Sequence, residues 1–177
     1  METPVRVIGL GNVLMGDDGL GPWVIHHLES HYTFPPRVSV LDAGTPGGDL
    51  IPYLHGAEVL ILVDTVKAQG APGELRTYRK EDILRHPPQP RVSPHDPGLK
   101  EALLTLDFSG GGTEHVYLVG IIPGPIEKTV QLAPAVRAAI PAAAAEVVAE
   151  LERIGCPPAP RPHPSTDPPW WDVEEIP

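Results

Sequence analysis

Val59-Leu60-Ile61-Leu62-Val63 is the clearest strand signal in the chain, and Asp64 follows it directly. An uninterrupted apolar run of this length is typical of a parallel strand that is covered on both faces. Neighbouring strands of a parallel sheet are joined by crossover connections, which are usually helices. The run therefore predicts a sheet between layers of helices, and it puts a carboxylate at the carboxyl end of one strand.

Strand and helix patterns alternate on both sides of this run. Short stretches that end at turns predict further strands at Val5–Ile8, Val38–Leu41 and Val116–Ile122, with a candidate edge strand at Glu74–Tyr78. Apolar spacing and capping residues predict helices at Gly19–His31, Pro46–His55, Gly98–Leu106 and Leu132–Ile154. Pro141 falls inside the last helix, so we expect a kink or a late start there.

This alternation predicts an α/β fold with three layers: a mostly parallel, twisted sheet of about five strands with helices on both faces. Residues 1–155 are predicted to form one domain, since a chain of 177 residues leaves little room for a second. Residues 156–177 hold eight of the 24 prolines and are predicted to be a tail that does not pack. Trp170 and Trp171 in this tail are expected either to dock loosely on the chain's own surface or to anchor a partner.

The composition argues against several classes of function. The formal net charge of -10 disfavours nucleic-acid binding, which needs a basic face, and docking on an anionic membrane. The longest apolar run is far too short to span a bilayer, and the N-terminus lacks the pattern of a signal peptide. The one cysteine, Cys156, cannot form an internal disulfide, which fits a reducing compartment. We therefore expect a cytoplasmic protein without membrane insertion.

Acidic residues follow three of the predicted strands. Asp17 and Asp18 come after the first strand, Asp42 ends the second and Asp64 the third, and a later proline-rich loop contains His95. Since ligands of open α/β sheets bind outside the carboxyl ends of the strands, these side chains can face one crevice. Carboxylates and an imidazole suit a borderline divalent ion such as nickel or zinc. The residues by themselves therefore indicate a metal or acid–base site.

Each of these residues also has a purely structural interpretation. An acid at the start of a helix can simply interact with the helix dipole, which we favour for Asp17 and which also applies to Asp18. Asp64 can be a cap of a helix or loop, and a single loop histidine such as His95 is more often solvated than functional. The joint placement of Asp18, Asp64 and His95 favours a functional site over these separate explanations.

Other chemistries fit the sequence less well. Gly9-x-Gly11 follows a strand as in dinucleotide-binding domains, but Leu14 takes the third glycine position and the acidic pair would repel a pyrophosphate. His27 and His31 have the spacing of metal ligands, yet they border the apolar stripe of a helix and are predicted to be partly buried. A serine or cysteine nucleophile lacks a supporting motif. Attack by water, assisted by a carboxylate or a metal, remains.

The acidic residues belong to motifs that occur in a fixed order. These motifs are Gly9-x-Gly11-Asn12-x-Leu14-x-x-Asp17-Asp18-Gly19-x-Gly21, Leu41-Asp42-Ala43-Gly44-Thr45-x-Gly47, Leu60-Ile61-Leu62-Val63-Asp64 and Ser93-Pro94-His95-x-x-Gly98-Leu99. Together they resemble the signatures of the NiFe-hydrogenase maturation proteases. Four ordered motifs are far more specific than any single one, and their order and spacing agree over roughly residues 5–154.

The resemblance implies an activity and a set of site residues. Enzymes of this family remove a short C-terminal extension from the hydrogenase large-subunit precursor after nickel insertion. Their metal-contacting and catalytic residues correspond to Asp18, Asp64 and His95, with Asp42 as a further acid whose role is less settled. The expected partner is the large-subunit precursor, and nickel is expected to arrive with it; another divalent cation could substitute in a crystal. The family is classed with aspartic peptidases, although the acid that activates water is left open.

Two other functions stay open at this point. A nickel-sensing chaperone could bind the immature large subunit through the same residues without cutting it. A nucleotide-binding α/β domain is a weaker third possibility. Ala43 stands where the second signature usually has a glycine, which leaves the role of Asp42 more open than the roles of the metal-contacting residues.

Overall fold

A mostly parallel sheet of five strands forms the centre of the molecule, as the sequence predicts. The computed structural model describes residues 4–45, 47–85 and 98–172. Its strands are β1 (Val5–Leu10), β2 (Tyr32–Thr33), β3 (Val38–Gly44), β4 (Val59–Thr65), β5 (Leu75–Arg79), β6 (His115–Ile121) and β7 (Ala159–Pro160). The strand order in the sheet is β3-β1-β4-β6-β5, and only the last pairing, β6 with β5, is antiparallel.

Helices cover both faces of this sheet. They are α1 (Leu20–His31), α2 (Ile51–Leu54), α3 (Lys80–Arg85), α4 (Leu99–Ser109) and α5 (Pro134–Arg153), with 3₁₀ turns at Gly16–Gly19 and Gly47–Leu50. Helices α1 and α5 enclose one hydrophobic core, and α2, α3 and α4 enclose the other. The predicted three-layer α/β architecture is therefore confirmed. Within the described residues, no helix combines the length and the apolar character that crossing a bilayer requires.

Strand β4 shows how the sequence pattern produces the layers. Successive side chains of a strand point to opposite faces. Ile61 and Val63 accordingly belong to the core under α1 and α5, while Leu60 and Leu62 belong to the core on the other face. All four are completely buried. The same alternation directs Asp64 to the face of Leu60 and Leu62, at the carboxyl edge of the sheet.

Element boundaries differ from the predictions at several places. The predicted edge strand is confirmed as β5, and the predicted helix near residue 98 is confirmed as α4. Helix α5 begins at Pro134 and continues through Pro141, so the late start is wrong. Pro134 is tolerated in the first turn of α5, because the backbone N–H that a proline lacks would have no partner within the helix at that position. The predicted helix towards His55 is reduced to a 3₁₀ turn and the single turn of α2, and α3 is not apparent from the sequence pattern.

The proline-rich tail is docked on the domain as far as residue 172, so the expectation that it does not pack is wrong there. Strand β7 pairs with β2 just beyond the end of α1. The backbone N–H of Arg161 donates to the carbonyl oxygen of His31 at 2.8 Å, and that of Ser165 donates to Ser30 at 3.0 Å. Prolines lack an N–H, so the few other residues between them make the hydrogen bonds that hold the tail.

Trp171 anchors this docked tail. Its side chain is only 6% exposed and belongs to the core under α1 and α5. The ring meets that of Trp23 edge to face, with 5.7 Å between centroids. Neighbouring Trp170, by contrast, is 75% exposed. Docking on the chain's own surface is therefore confirmed for Trp171, and its deep burial shows that this docking is not loose.

Replacing Trp171 with alanine should destabilise the fold by about 2 kcal/mol. Truncating a buried tryptophan usually costs about 3–5 kcal/mol, but the indole N–H of Trp171 has no hydrogen-bond partner among the described residues, which reduces the loss. Urea denaturation measures the difference. Trp170→Ala is the matched control and should change stability by less than about 0.5 kcal/mol. Equal effects of the two substitutions would contradict the anchoring role.

A buried carboxylate joins the edge strand β5 to α5. Glu150 is 5% exposed. Its carboxylate accepts two hydrogen bonds from the guanidinium of Arg79, at 2.6 and 2.9 Å, and two from Arg153, at 2.9 and 2.7 Å. Burial alone would raise the pKa of Glu150, but the hydrogen bonds from Arg153 and Arg79 outweigh it and lower the pKa to about 2. The ionised form is therefore favoured by folding.

Acid should weaken the fold through Glu150. Its folded pKa of about 2 lies below the usual 4.5, so its stabilisation is complete well above pH 4.5 and is lost as the pH falls from there towards 2. We expect Glu150→Gln to lower the free energy of unfolding at pH 7 by about 2 kcal/mol, discounted because both guanidiniums are partly exposed. Urea denaturation across this pH range should show a shallower decline in the variant. An identical decline in both proteins would contradict the assignment.

Candidate active site

Two glycines allow close packing where β1 passes into α1: Gly11 within the connecting turn, and Gly21 between the first turn of α1 and the ends of the central strands. A Cβ on Gly21 would lie 2.1 Å from the carbonyl oxygen of Leu10 in β1 and 2.7 Å from that of Val63 in β4. A Cβ on Gly11 would lie 1.9 Å from the carbonyl oxygen of Asp18, and its φ of 136° is rarely adopted by other residues. Only glycine fits at either position. The turn that carries Asp17 and Asp18 is thereby held at the carboxyl edge of the sheet.

Asp18 is oriented by the backbone of this same turn. The backbone N–H of Asn12 donates to Asp18 Oδ2 at 3.0 Å. The side-chain oxygen of Asn12 accepts a hydrogen bond from the backbone N–H of Leu14 at 3.0 Å, closing a short turn. The Asn12 side chain therefore shapes the turn whose backbone amide points at the Asp18 carboxylate.

Asp64 lies beside Asp18, near the carboxyl end of β4. Burial raises the pKa of Asp64 well above its usual value, and the charge of Asp18 raises it further. The backbone N–H of Thr65 donates to Asp64 Oδ1 at 2.7 Å and acts in the opposite direction. Two carboxylates that repel each other in a poorly solvated position favour a proton or a cation between them. The structure thus brings together two of the predicted site residues.

Asp42 lies apart from this pair. It is exposed near the end of β3, and its Oδ1 accepts a hydrogen bond from the backbone N–H of Gly44 at 2.8 Å. Strand β1 separates β3 from β4, so two strand spacings, about 10 Å, divide the backbones that carry Asp42 and Asp64. The charge of Asp42 contributes instead to raising the pKa of Glu29 on α1, after burial as the main cause.

Asp17 has a different environment from its neighbour Asp18. It is only 2% exposed. Its Oδ2 accepts the backbone N–H of Gly124 at 2.8 Å, and its Oδ1 accepts that of Ala133 at 2.7 Å. The sequence favours an interaction of Asp17 with the helix dipole, and the structure adds hydrogen bonds to a segment more than a hundred residues away. No local sequence signal distinguishes this link from a helix-terminus acid.

His95 lies outside the described residues, as does Ser93, so the predicted third member of the site is not located. Within the part of the chain that the structure describes, no group of three or more histidines, cysteines and acids could hold a metal ion. His27 and His31 are stacked with 4.0 Å between ring centroids, and His31 Nδ1–H donates to the carbonyl oxygen of His27 at 2.8 Å. Both are half-buried on α1, as the sequence predicts.

The fold and the acidic pair formed by Asp18 and Asp64 define an α/β protein with a carboxylate site at the carboxyl edge of its sheet. Comparison with known proteins makes this class specific. The family model described as hydrogenase maturation protease matches residues 22–150. The Hydrogenase 2 maturation protease of Escherichia coli is 34% identical over 158 residues, which cover 89% of this chain and 96% of the relative. The HupD hydrogenase expression/formation protein of Rhodobacter capsulatus is 35% identical over 152 residues, covering 85% of this chain and 72% of the relative.

Solved structures show the same likeness. The hydrogenase maturating endopeptidase HybD of E. coli superposes with a TM-score of 0.81 at 34% identity, over 89% of this chain and 97% of that one. A hydrogenase 2 maturation peptidase from a Thaumarchaeota archaeon gives a TM-score of 0.62 at 35% identity, over 85% and 97% of the two chains. The chain belongs to the hydrogenase maturation protease family. It is therefore a hydrolase of the protease class, and the resemblance noted from its sequence motifs is confirmed.

Replacing Asp64 with asparagine should make the isolated protein more stable. The folded pKa of Asp64 lies above its unfolded value, so its ionisation opposes folding increasingly as the pH rises through that interval. Asparagine keeps an oxygen that can accept the Thr65 N–H but carries no charge. We expect the free energy of unfolding at pH 8 to rise by on the order of 1 kcal/mol, and the gain to vanish near pH 4, as measured by urea denaturation. A loss of stability at pH 8 would contradict the repulsion between Asp18 and Asp64.

Proposed function

We propose that the chain is an endopeptidase that removes the C-terminal extension of a NiFe-hydrogenase large-subunit precursor after nickel insertion, recognising the nickel held by that substrate. The observation that carries the proposal is the pairing of Asp18 with Asp64 at the carboxyl edge of the sheet, in a chain of the maturation protease family. Ligands of open α/β sheets bind at this edge. The reacting peptide would accordingly enter above β1 and β4.

The acidic pair has the chemistry to recognise a cation that the substrate carries. Carboxylate oxygens bind divalent ions, and imidazole suits nickel. Asp18, Asp64 and His95 would supply three protein ligands to open positions of the substrate's nickel. A cation there would remove the repulsion from Asp18, which adds to the effect of burial in raising the pKa of Asp64. A precursor without nickel would leave this repulsion in place, so the site itself favours substrates that have completed nickel insertion.

The same pair offers two ways to activate the attacking water. An Asp freed from the metal could act as general base, and Asp64, whose pKa burial raises, is a better base near neutral pH than an ordinary carboxylate. Alternatively, the substrate's nickel could polarise the scissile carbonyl as a Lewis acid. Both routes place Asp64 next to the reacting atoms. Asp42, which is exposed near the end of β3, is proposed as an accessory acid at the rim of the site.

We also place the reaction in the cytoplasm. Cys156 is a free, buried thiol, as suits a reducing compartment. The formal net charge of -10 argues against a nucleic-acid partner. The proposed partner is therefore the precursor protein itself.

The proposal is tested by incubating the chain with nickel-loaded and nickel-free precursor and following the precursor mass by mass spectrometry. We expect cleavage of the nickel-loaded form only. Asp18→Asn, Asp64→Asn and His95→Ala should each reduce the rate by at least about a hundredfold, the scale of acid–base assistance. A smaller loss is expected for Asp42→Asn, since its carboxylate lies apart from the pair.

Glu58→Gln is the matched control, because Glu58 is an exposed acid that precedes the first residue of β4, at the end of the strand opposite to Asp64. This variant should cleave the precursor at the wild-type rate. A wild-type chain that forms a stable complex but leaves the precursor mass unchanged would favour the nickel-sensing chaperone. Normal cleavage by Asp64→Asn would show that the site assignment is wrong.

A further inference from the structure

The strongest unexplained feature near the site is the buried carboxylate of Asp17. Asp17 directly precedes Asp18 in the sequence, but its side chain is only 2% exposed whereas Asp18 is half-buried. Both of its oxygens are occupied by backbone amides of one distant segment, those of Gly124 and Ala133. An ionised acceptor makes these hydrogen bonds stronger than neutral ones. Asp17 therefore joins the 3₁₀ turn Gly16–Gly19, called the acidic turn below, to the loop 122–133 through two charge-assisted hydrogen bonds.

A third contact and a tight steric fit join the same two segments. The backbone N–H of Gly16, one residue before Asp17, donates to the carbonyl oxygen of Thr129 at 2.6 Å. A Cβ on Gly124 would lie 3.0 Å from Asp17 Oδ2, closer than ordinary contact. The loop is thus fixed to the turn at its beginning, its middle and its end. Small changes at Asp17 would shift the whole loop relative to Asp18.

The loop lies at the edge of the sheet where the proposed reaction takes place. It follows β6, which pairs in parallel with β4, and Gly120 of β6 is aligned with Asp64. Pro125, Glu127 and Lys128 in the loop are exposed. A substrate peptide that reaches Asp18 and Asp64 would therefore pass next to this loop.

We propose that Asp17 is a positioning residue for the proposed cleavage: it holds the loop 122–133 as one wall of the substrate cleft beside Asp18 and Asp64. The inference rests on the proposed function. The two adjacent acids then have separate tasks, because Asp17 fixes the wall through backbone amides while Asp18 interacts electrostatically with Asp64. Asparagine at position 17 would keep one acceptor oxygen but would turn an NH₂ group towards a backbone N–H.

The test compares Asp17→Asn with Glu150→Gln in the precursor-cleavage assay. Glu150 is a similarly buried carboxylate that accepts charge-assisted hydrogen bonds, but it joins β5 to α5 and is not part of the site. Both variants should unfold at lower temperature than the wild type. Well below either transition, we expect kcat/KM of Asp17→Asn to fall at least about tenfold, mainly through KM, and that of Glu150→Gln to stay within about twofold. Equal kcat/KM values for the two folded variants would overturn the proposal.

Amide hydrogen exchange gives a readout that does not depend on cleavage. Asp17→Asn should speed exchange at Gly124 and Ala133 at least tenfold, and Glu150→Gln should not. Unchanged exchange at both amides would overturn the proposal. If Asp17→Asn does not fold, Gly124→Ala serves in its place, since its Cβ pushes the loop away from Asp17 while the carboxylate remains. The kcat/KM of Gly124→Ala should fall as well. A wild-type kcat/KM in this variant would contradict the proposal that the loop 122–133 forms a wall of the substrate cleft.

Failure of the proposed function can be told apart from failure of this inference. If the wild-type chain binds the nickel-loaded precursor without cutting it, the endopeptidase proposal is wrong. The dissociation constant of the precursor complex then replaces KM, and Asp17→Asn should still raise it at least tenfold. An unchanged dissociation constant would reject the positioning role.

Discussion

The close approach of one turn to the ends of two parallel strands underlies the rest of the structure. Gly21 packs against backbone oxygens of β1 and β4 at distances that no side chain would permit. Because α1 begins at this contact, the packing also sets the start of the helix that covers one face of the sheet. The turn before the helix is thereby pressed against β4, and Asp18 comes to lie beside Asp64. The acidic pair is a consequence of backbone packing and would separate if the turn moved.

The site is assembled at a cost in stability, and other contacts offset it. Asp64 is half-buried beside a second carboxylate, and its reduced solvation and the charge of Asp18 both oppose its ionisation, and hence folding, at neutral pH. Elsewhere, buried acids are matched to donors: Glu150 binds two arginines, and Asp17 binds two backbone amides. Asp64, at the proposed centre of the chemistry, accepts one backbone hydrogen bond, from Thr65, and this does not outweigh the effects of burial and of the Asp18 charge. Perturbed carboxyl groups are commonly found at functional sites for this reason.

The docked tail lies beyond the residues that the family model matches. That match ends at residue 150, whereas the structure describes packing as far as residue 172. Trp171 packs in the core under α1 and α5. The backbone N–H groups of Arg161 and Ser165 donate to the carbonyl oxygens of the last two residues of α1, His31 and Ser30. These contacts hold the C-terminal half of α1, while the glycine turn holds its N-terminal end. The helix that follows the acidic turn is therefore restrained at both ends.

The sequence by itself determined the layered fold and the two acids that end up together. The apolar run before Asp64 is typical of a buried parallel strand, and the alternation of strands with helices leaves few topologies for a parallel sheet. Only the tertiary structure showed what Asp17 does: it is adjacent to Asp18 in a glycine-flanked turn, but its carboxylate accepts hydrogen bonds from a loop more than a hundred residues away. It also decided that Asp42 stands apart and that the tail packs, because the order of the strands in the sheet and the fit of Trp171 depend on three-dimensional neighbours. Local patterns record which face of an element is apolar, whereas contacts between distant segments arise only when the chain is folded.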